Sequence, residues 1–231
     1  VDDYTDNYVD GILREYLSQN ITSGMTTPQK LDVIAKYVAN KKYDYLYSSK
    51  NGMVLSGGGD CWASTHTIVA MAKMVGLDAW SRSGKKDPGA GSGHMNAMAF
   101  DGTDYYEVEA GYNMTPPRIY YVTKRSSLFS YKYNSTHKCY EVFQYDGKTI
   151  PEKLVIPSVI EGNQIGAVGD SFLTLNSDVK EITVPSSVKY IGESAFNSCT
   201  KLEKLTISGS IERIGNYAFA FCPGLREIVL P

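Results

Sequence analysis

The stretch ITVPSSVKYIGESAFNSCTKLEK, residues 182–204, is followed without a gap by LTISGSIERIGNYAFAFCPGLRE, residues 205–227. Aligned end to end, the two place Ile191 over Ile214, Phe196 over Phe219, Cys199 over Cys222 and Leu202 over Leu225, a period of 23. One unit this short cannot bury its own apolar residues, whereas stacked units bury a continuous column of them. A looser copy precedes them, LVIPSVIEGNQIGAVGDSF through Val179, with extra residues before Val168 as expected of a first, atypical unit. The C-terminal part of the chain therefore reads as a short β-rich solenoid of about three turns. Cys199 and Cys222 take equivalent rungs, and two stacked buried thiols are a simpler reading than a disulfide or a metal pair.

The pattern IGxxAFxxCxxLxxIxIP, spread over residues 152–231, resembles the BspA-type leucine-rich repeats of bacterial surface proteins. The resemblance implies a secreted or cell-surface protein, with the repeats as a binding or spacer arm for a host or cell-surface protein. The sequence stops at IVLP with no polar capping unit, so the array is expected to continue in the natural protein. The last repeat is expected to leave Ile207, Ile214, Phe219, Leu225 and the IVLP strand partly uncovered, and to self-associate through that face.

Composition narrows the rest. A chain of 231 residues suggests two domains, expected at 1–137 and 138–231. The 23 basic and 25 acidic residues give a net charge of -2 without a strong run of either sign, which argues against nucleic acid or anionic lipid as partner. The most apolar window, residues 67–77, is broken by Lys73 and is much shorter than the ~20 residues of a bilayer span. The opening VDDYTDNYVD carries neither an initiator methionine nor a leader, and suggests a processed or trimmed start. Four scattered cysteines make neither a disulfide framework nor a Cys-x-x-Cys zinc site. No carboxylate cluster suggests calcium, so no metal or cofactor is expected. Eighteen tyrosines against two tryptophans are read as core packing rather than as a glycan- or protein-binding surface.

The first domain mixes helix and strand without a repeat. Tyr4, Tyr8, Ile12 and Tyr16 recur every four residues with Val9, Leu13 and Leu17 alongside, an amphipathic helix. A second helix starts at TTPQKLDVIAKYVA, with Thr27 as N-cap, Pro28 at the first helical position and Leu31, Ile34, Ala35 and Val38 buried. The third lies in LSGGGDCWASTHTIVAMAKMVGLDAW, residues 55–80. Asp60 can cap it, Gly76 can end it, and its apolar body from Trp62 to Val75 predicts a buried helix.

That third helix begins on Cys61. A helix N-terminus favours thiolate, and Gly57, Gly58 and Gly59 would let the backbone come close, leaving room for a substrate carbonyl and making the Cys61 N–H an oxyanion donor. Of three histidines, His66 is turned about 140° from Cys61 on the same helix. His137 sits in the polar stretch NSTHK and reads as solvent-facing. His94 opens HMNAMAFDGTDYYEVEAGY, two short strands around an Asp-Gly turn. With the turn on Gly102-Thr103, cross-strand numbers add to 205, Asn96 faces Glu109, and Glu109 is the diagonal neighbour of His94 at about 7 Å. Glu107 is on the same face roughly 7 Å further away. The register thus selects Glu109.

A cysteine on a helix start, a histidine on a strand and an acid on the next strand make a thiol triad. GGGDCWAS, His94 with DGTDYYEVEAG, and KLDVIAKYVANKKYDY resemble the transglutaminase-like (papain-like) superfamily over residues 26–112. The resemblance implies an α+β fold, a transglutaminase-like domain followed by the leucine-rich-repeat solenoid. It assigns Cys61 as nucleophile, His94 as general base and acid, and Glu109 as the residue holding the imidazole. Glu109 stands where the family usually has aspartate, and Asn96 where an aromatic residue often follows the histidine. The implied activity is cysteine-dependent attack on peptide or protein amides through a thioester, hydrolysis first and transfer to an amine second. A non-catalytic surface adhesin is the reading from another class. Residues 43–49 are candidates for a second oxyanion donor, and residues 81–93 for a lid.

Overall fold

Val9, Leu13 and Leu17 make one buried stripe on helix α1 (Asp3–Asn20), while Tyr8, on the neighbouring spacing, is 59% exposed. The aliphatic spacing, rather than the tyrosine spacing beside it, faces the core. Helix α2 (Thr27–Ala39) starts one residue earlier than the sequence suggests: its N-cap is Thr26, whose N–H donates to Gln29 Oε1 at 2.8 Å. The glutamine three residues on makes Thr26 the better cap, because it can answer an otherwise unsatisfied donor. Leu31, Ile34, Ala35 and Val38 are all buried, as the 3.6-residue period requires.

The computed structural model describes residues 3–83, 94–112 and 116–231, and divides into Val1–Arg125 and Ser126–Pro231. In the first unit a short helix α3 (Lys50–Ser56), capped by Ser49 and ended by left-handed Gly57, precedes α4 (Cys61–Met74). The sheet is antiparallel in the order β1 (Asp78–Ser83), β2 (Met95–Phe100), β3 (Tyr105–Tyr112), β4 (Ile119–Arg125). Helix α4 packs against β1, β2 and β3, and α2 against β3 and β4. Trp62, His66 and Lys73 of α4 nonetheless face outward, so the helix buries one broad side rather than its whole circumference. Residues 81–83 end strand β1; the remainder of the expected lid, residues 84–93, lies outside the described residues.

The second unit begins twelve residues before the expected boundary at 137/138. Strands β5 (Phe129–Asn134) and β6 (Cys139–Tyr145) form a hairpin, and β6 then pairs in parallel with β9 (Asn163–Val168). A boundary at 137/138 would cut that hairpin at its turn. His137, in the turn, is half-buried and stacks on Tyr190 with ring centroids 4.1 Å apart, so it is not the solvent-facing residue its polar neighbours suggest.

Above the hairpin the solenoid stacks two parallel ladders. One runs β14 (Glu227–Val229), β12 (Lys204–Ile207), β10 (Glu181–Val184), β7 (Lys153–Val155); the other joins β13 (Arg213–Ile214), β11 (Tyr190–Ile191) and β9. Glu181 pairs with Lys204 and Lys204 with Glu227, each 23 residues on, whereas Lys153 pairs with Glu181, 28 on. Val168 pairs with Ile191 at 23 again, so the five extra residues fall between β7 and β9. They are taken up by β8 (Val159–Ile160), which folds back on β9 through left-handed Glu161 and Gly162. Phe196, Cys199, Leu202 and Ile191 are buried in the column the repeat predicts. At the last rung Ile214 is 50% exposed and Phe219 and Leu225 are half-buried. Ile207 departs from the expectation and is buried, because β12 is flanked by β10 and β14. Among the described residues no helix is long and apolar enough to cross a membrane.

Candidate active site

Helix α4 begins on Cys61 because the residue before it fixes the start. Asp60 Oδ1 accepts the Ala63 N–H at 2.9 Å, and its Oδ2 accepts the Ser48 hydroxyl at 2.5 Å. Two of the glycines ahead of it, Gly58 and Gly59, are closely packed against the chain. A Cβ on Gly59 would lie 2.5 Å from the Ala63 Cβ, and one on Gly58 would lie 2.8 Å from the Lys42 carbonyl oxygen. Only Gly57, at φ 78°, is required by backbone conformation.

Strand pairing supplies the partner. Ala97 pairs with Val108, Met98 with Glu107, Ala99 with Tyr106 and Phe100 with Tyr105, each pair adding to 205. The turn is held by Asp101, whose Oδ1 accepts the N–H groups of Thr103 and Asp104 at 3.0 and 2.8 Å. In this register Glu109 reaches His94, with Oε2 2.5 Å from Nε2, and the two side chains are 1% and 10% exposed. The same imidazole also hydrogen-bonds the Cys61 thiol. Cys61, His94 and Glu109 are thus joined in one line. His66 is exposed and edge-on to Trp62 at 6.2 Å, apart from that line.

Burial alone would raise the Cys61 thiol. The hydrogen bond from His94, another from the Met95 backbone and the imidazolium charge outweigh it, and the thiol ends below the ordinary value of 9.0. For His94 burial opposes the charged form. Hydrogen bonds to Cys61 and Glu109 and the charges of both overcome that, pushing the imidazole up to about 10. Both shifts favour thiolate beside imidazolium at neutral pH.

Glu107, the carboxylate that the register set aside, has another task. Its Oε1 accepts from Arg82 Nη2 at 3.0 Å, Asn96 Nδ2 at 2.9 Å and the Tyr121 hydroxyl at 3.2 Å, while Oε2 meets Arg125. Asn96 Oδ1 accepts from Arg82 Nε at 2.8 Å. Asn96 is 2% exposed, so in place of an aromatic residue the hairpin carries a buried polar knot that ties β1, β2, β3 and β4 together.

Two residues of the site escape the sequence reading wholly or in part. Arg118, 2% exposed, donates from Nε to the Lys41 carbonyl at 3.0 Å, from Nη1 to Ser64 Oγ at 2.8 Å and from Nη2 to the Gly59 carbonyl at 3.0 Å and the Lys42 carbonyl. One guanidinium thereby clamps the Lys41-Lys42 segment, the glycine loop and α4. Tyr43, in the segment singled out for an oxyanion donor, lies with its ring 5.3 Å from the Arg118 Cζ. Burial, then the nearby Cys61, pushes the Tyr43 hydroxyl up to about 12. Among the described residues no group of three His, Cys, Asp or Glu side chains could hold a metal ion.

Residues 152–231 match the BspA type leucine rich repeat region. A leucine-rich repeat protein of T. pallidum is 30% identical over 45% of this chain and 48% of its own, with a TM-score of 0.41. A leucine-rich cell surface protein of Faecalibacterium prausnitzii is 25% identical over 45% of this chain and 30% of its own, with a TM-score of 0.39. A protein described as a TGase is 17% identical over 48% of this chain and 33% of its own, with a TM-score of 0.42. The chain spans less than half the length of each of these three structures. No curated protein matches it.

Proposed function

We propose that this chain is part of a secreted or cell-surface protein in which a transglutaminase-like cysteine enzyme unit, acting on peptide or protein amides, is joined to BspA-type repeats. The observation that supports the enzyme reading is the imidazole of His94 held between the Cys61 thiol and the Glu109 carboxylate. The surface location rests on the repeats and on the surface protein among the similar structures.

In this reading the Cys61 thiolate attacks the amide carbonyl carbon, a C–S bond forms, and the π electrons move onto oxygen. As the adduct collapses the C–N bond breaks, and the imidazolium of His94 gives its proton to the departing amine. Water then attacks the thioester while His94 takes its proton, returning the acid product and the thiol. Glu109 holds the ring and stabilises its charge without taking the proton. An amine in place of water would give transfer instead of hydrolysis.

A second reading has its own support. The repeat match favours a non-catalytic adhesin that binds through residues 152–231. A screen of peptide and glutamine–amine substrates separates the two, with Cys61→Ala as control. Turnover by the parent chain and none by the variant supports the enzyme; no turnover, with ordinary thiol reactivity at Cys61, leaves the adhesin.

A further inference from the structure

We propose that the groove between helices α1 and α4 binds an acidic peptide segment, with Arg14 and Lys73 taking its carboxylates, and that this segment belongs to the chain whose amide Cys61 attacks. The link to catalysis rests on the reading of Cys61 as a nucleophile; the binding site itself does not.

Asp10 and Arg14 on α1 and His66 and Lys73 on α4 line the rim of a cavity of about 440 Å³, floored by the half-buried Val69, Ala70 and Met74. An apolar floor with a few polar groups at its edge suits a ligand that is itself part apolar and part charged. The rim charges do not cancel. Asp10 is taken by Lys50, which also lies 3.6 Å from Asp6. Arg14 and Lys73 are exposed, and among the described residues neither side chain has an ion pair or a hydrogen bond. The uncommitted charge is therefore positive, and a ligand complementary to it brings carboxylates.

The course of the groove favours a peptide. Trp62, His66, Val69 and Lys73 recur at spacings of four, three and four, so they lie along one side of α4. That side starts beside the nucleophile, for Trp62 follows Cys61, is exposed and meets His66 edge-on at 6.2 Å. From Trp62 to Lys73 the helix rises about 16 Å, and five or six extended residues span about 16–20 Å. A peptide anchored by Arg14 and Lys73 thus crosses the apolar floor and Trp62 and delivers an amide to Cys61. A small carboxylate held by the same two cations would leave the Trp62 end bare.

The test titrates the whole chain into two dye-labelled hexapeptides, one of alternating leucine and glutamate and the other of alternating leucine and glutamine, and reads Kd by fluorescence anisotropy. The glutamate peptide should bind roughly three- to tenfold tighter, the size of two exposed ion pairs. Arg14→Gln with Lys73→Gln should remove the preference, with melting curves to show that the variant is folded. Lys36→Gln with Lys201→Gln removes the same charge elsewhere and should keep it. No preference in the parent chain, a preference that survives without Arg14 and Lys73, or equal loss in the Lys36 and Lys201 variant would overturn the site. The glutamate peptide should also slow alkylation of Cys61 by iodoacetamide, saturating at the same Kd; binding without such protection would overturn the link to the thiol. Peptide turnover is measured separately. Its absence in the parent chain, with binding still dependent on Arg14 and Lys73, would sink the enzyme reading and leave the groove standing.

Discussion

Cys61 and Cys199 are both buried, yet their thiols are driven in opposite directions. Cys199 donates to the Leu173 carbonyl at 3.2 Å, and burial, followed by the neighbouring Cys222, pushes it up to about 12. Burial also opposes ionisation of Cys61, but His94 and the Met95 N–H reverse the outcome. The repeat uses cysteine as a small apolar filler that recurs with the rung, whereas the first unit surrounds it with a base and a carboxylate. What separates a packing thiol from a reactive one is its polar partners, not its degree of burial.

The largest expected effect therefore lies in labelling. At neutral pH roughly 10⁻⁵ of a thiol with the Cys199 value is ionised, so iodoacetamide should modify Cys61 faster by orders of magnitude. Peptide mapping after brief exposure would show it; comparable labelling of Cys61, Cys139, Cys199 and Cys222 would erase the contrast. The rate at Cys61 should fall, as the thiolate is protonated, at a pH below 9.0, and His94→Ala should move that fall to higher pH. On the enzyme reading, peptide turnover should drop as pH rises through about 10, where the His94 imidazolium is lost. The stability contributions have opposite signs. That of His94, whose value is raised, is complete below 6.5 and gone above about 10; that of Cys61, whose value is lowered, is present above 9.0 and lost as pH falls through the folded value.

The two carboxylates of strand β3 give a second contrast of similar kind. On the enzyme reading Glu109→Gln, which keeps the shape of the side chain but removes the charge facing His94, should cost about 10²–10⁴ in kcat and also lose the part of the His94 stabilisation that the Glu109 charge supplies. Glu107→Gln leaves the buried cation of Arg82 and the half-buried one of Arg125 short of a counter-charge, and should destabilise by about 3–5 kcal/mol while alkylation of Cys61 continues in the folded fraction. Thermal melts beside kinetics would check both; a kinetic defect in Glu107→Gln larger than in Glu109→Gln would reverse the assignment.

The pairing of Cys61, His94 and Glu109 was open to sequence reasoning because each rests on a local rule: a capped helix start, a two-residue turn, and side chains alternating along a strand. The 23-residue period was legible for the same reason, since it repeats side-chain types. Arg118 was not. Its partners are main-chain carbonyls 77, 76 and 59 positions away and a serine 54 away, and carbonyls carry no residue identity that a pattern could register. Helix α3 lay hidden because it is only seven residues long, carries Gly52 and runs into Gly57, and the β5–β6 hairpin shares no repeat motif with the solenoid it joins. Its membership is written in the β6–β9 backbone pairing and in contacts such as Phe129 on Phe172 and His137 on Tyr190.

The two cores are separate groups of residues, and a substitution in one should leave the other's chemistry intact. Phe196 is fully buried, stacks on Phe219 at 5.4 Å and meets Phe172 edge-on at 6.1 Å. Phe196→Ala should cost the solenoid about 3–5 kcal/mol. Iodoacetamide labelling of Cys61, run at a temperature where the variant solenoid has melted, should proceed at the parent rate. Loss of Cys61 reactivity together with the solenoid would show that the first unit depends on the second.

The smallest effect concerns backbone. Among the described residues of the first unit, positive φ falls on glycines, Gly57, Gly76 and Gly102, whereas in the solenoid it falls mostly on other residues. There it recurs with the period: Ser171, Ser194 and Tyr217 form one left-handed column, Leu175, Ser198 and Phe221 another. Left-handed backbone costs an L-residue roughly 1–2 kcal/mol. The rungs hold it because the N–H groups concerned donate to the next turn: Ser171 to the Glu193 carbonyl at 2.9 Å, Ser194 to Asn216 at 2.8 Å, Leu175 to Asn197 at 2.8 Å. Glycine at such a position removes the Cβ clash but adds unfolded-state entropy, so Ser194→Gly should gain only about 0.5 kcal/mol. Ser194→Val, with a branched Cβ in the same conformation, should lose more than glycine gains. Urea unfolding of the two variants, followed by a probe in the solenoid, measures both signs. A midpoint lowered by glycine and raised by valine would mean that the stacking bonds do not impose the left-handed column.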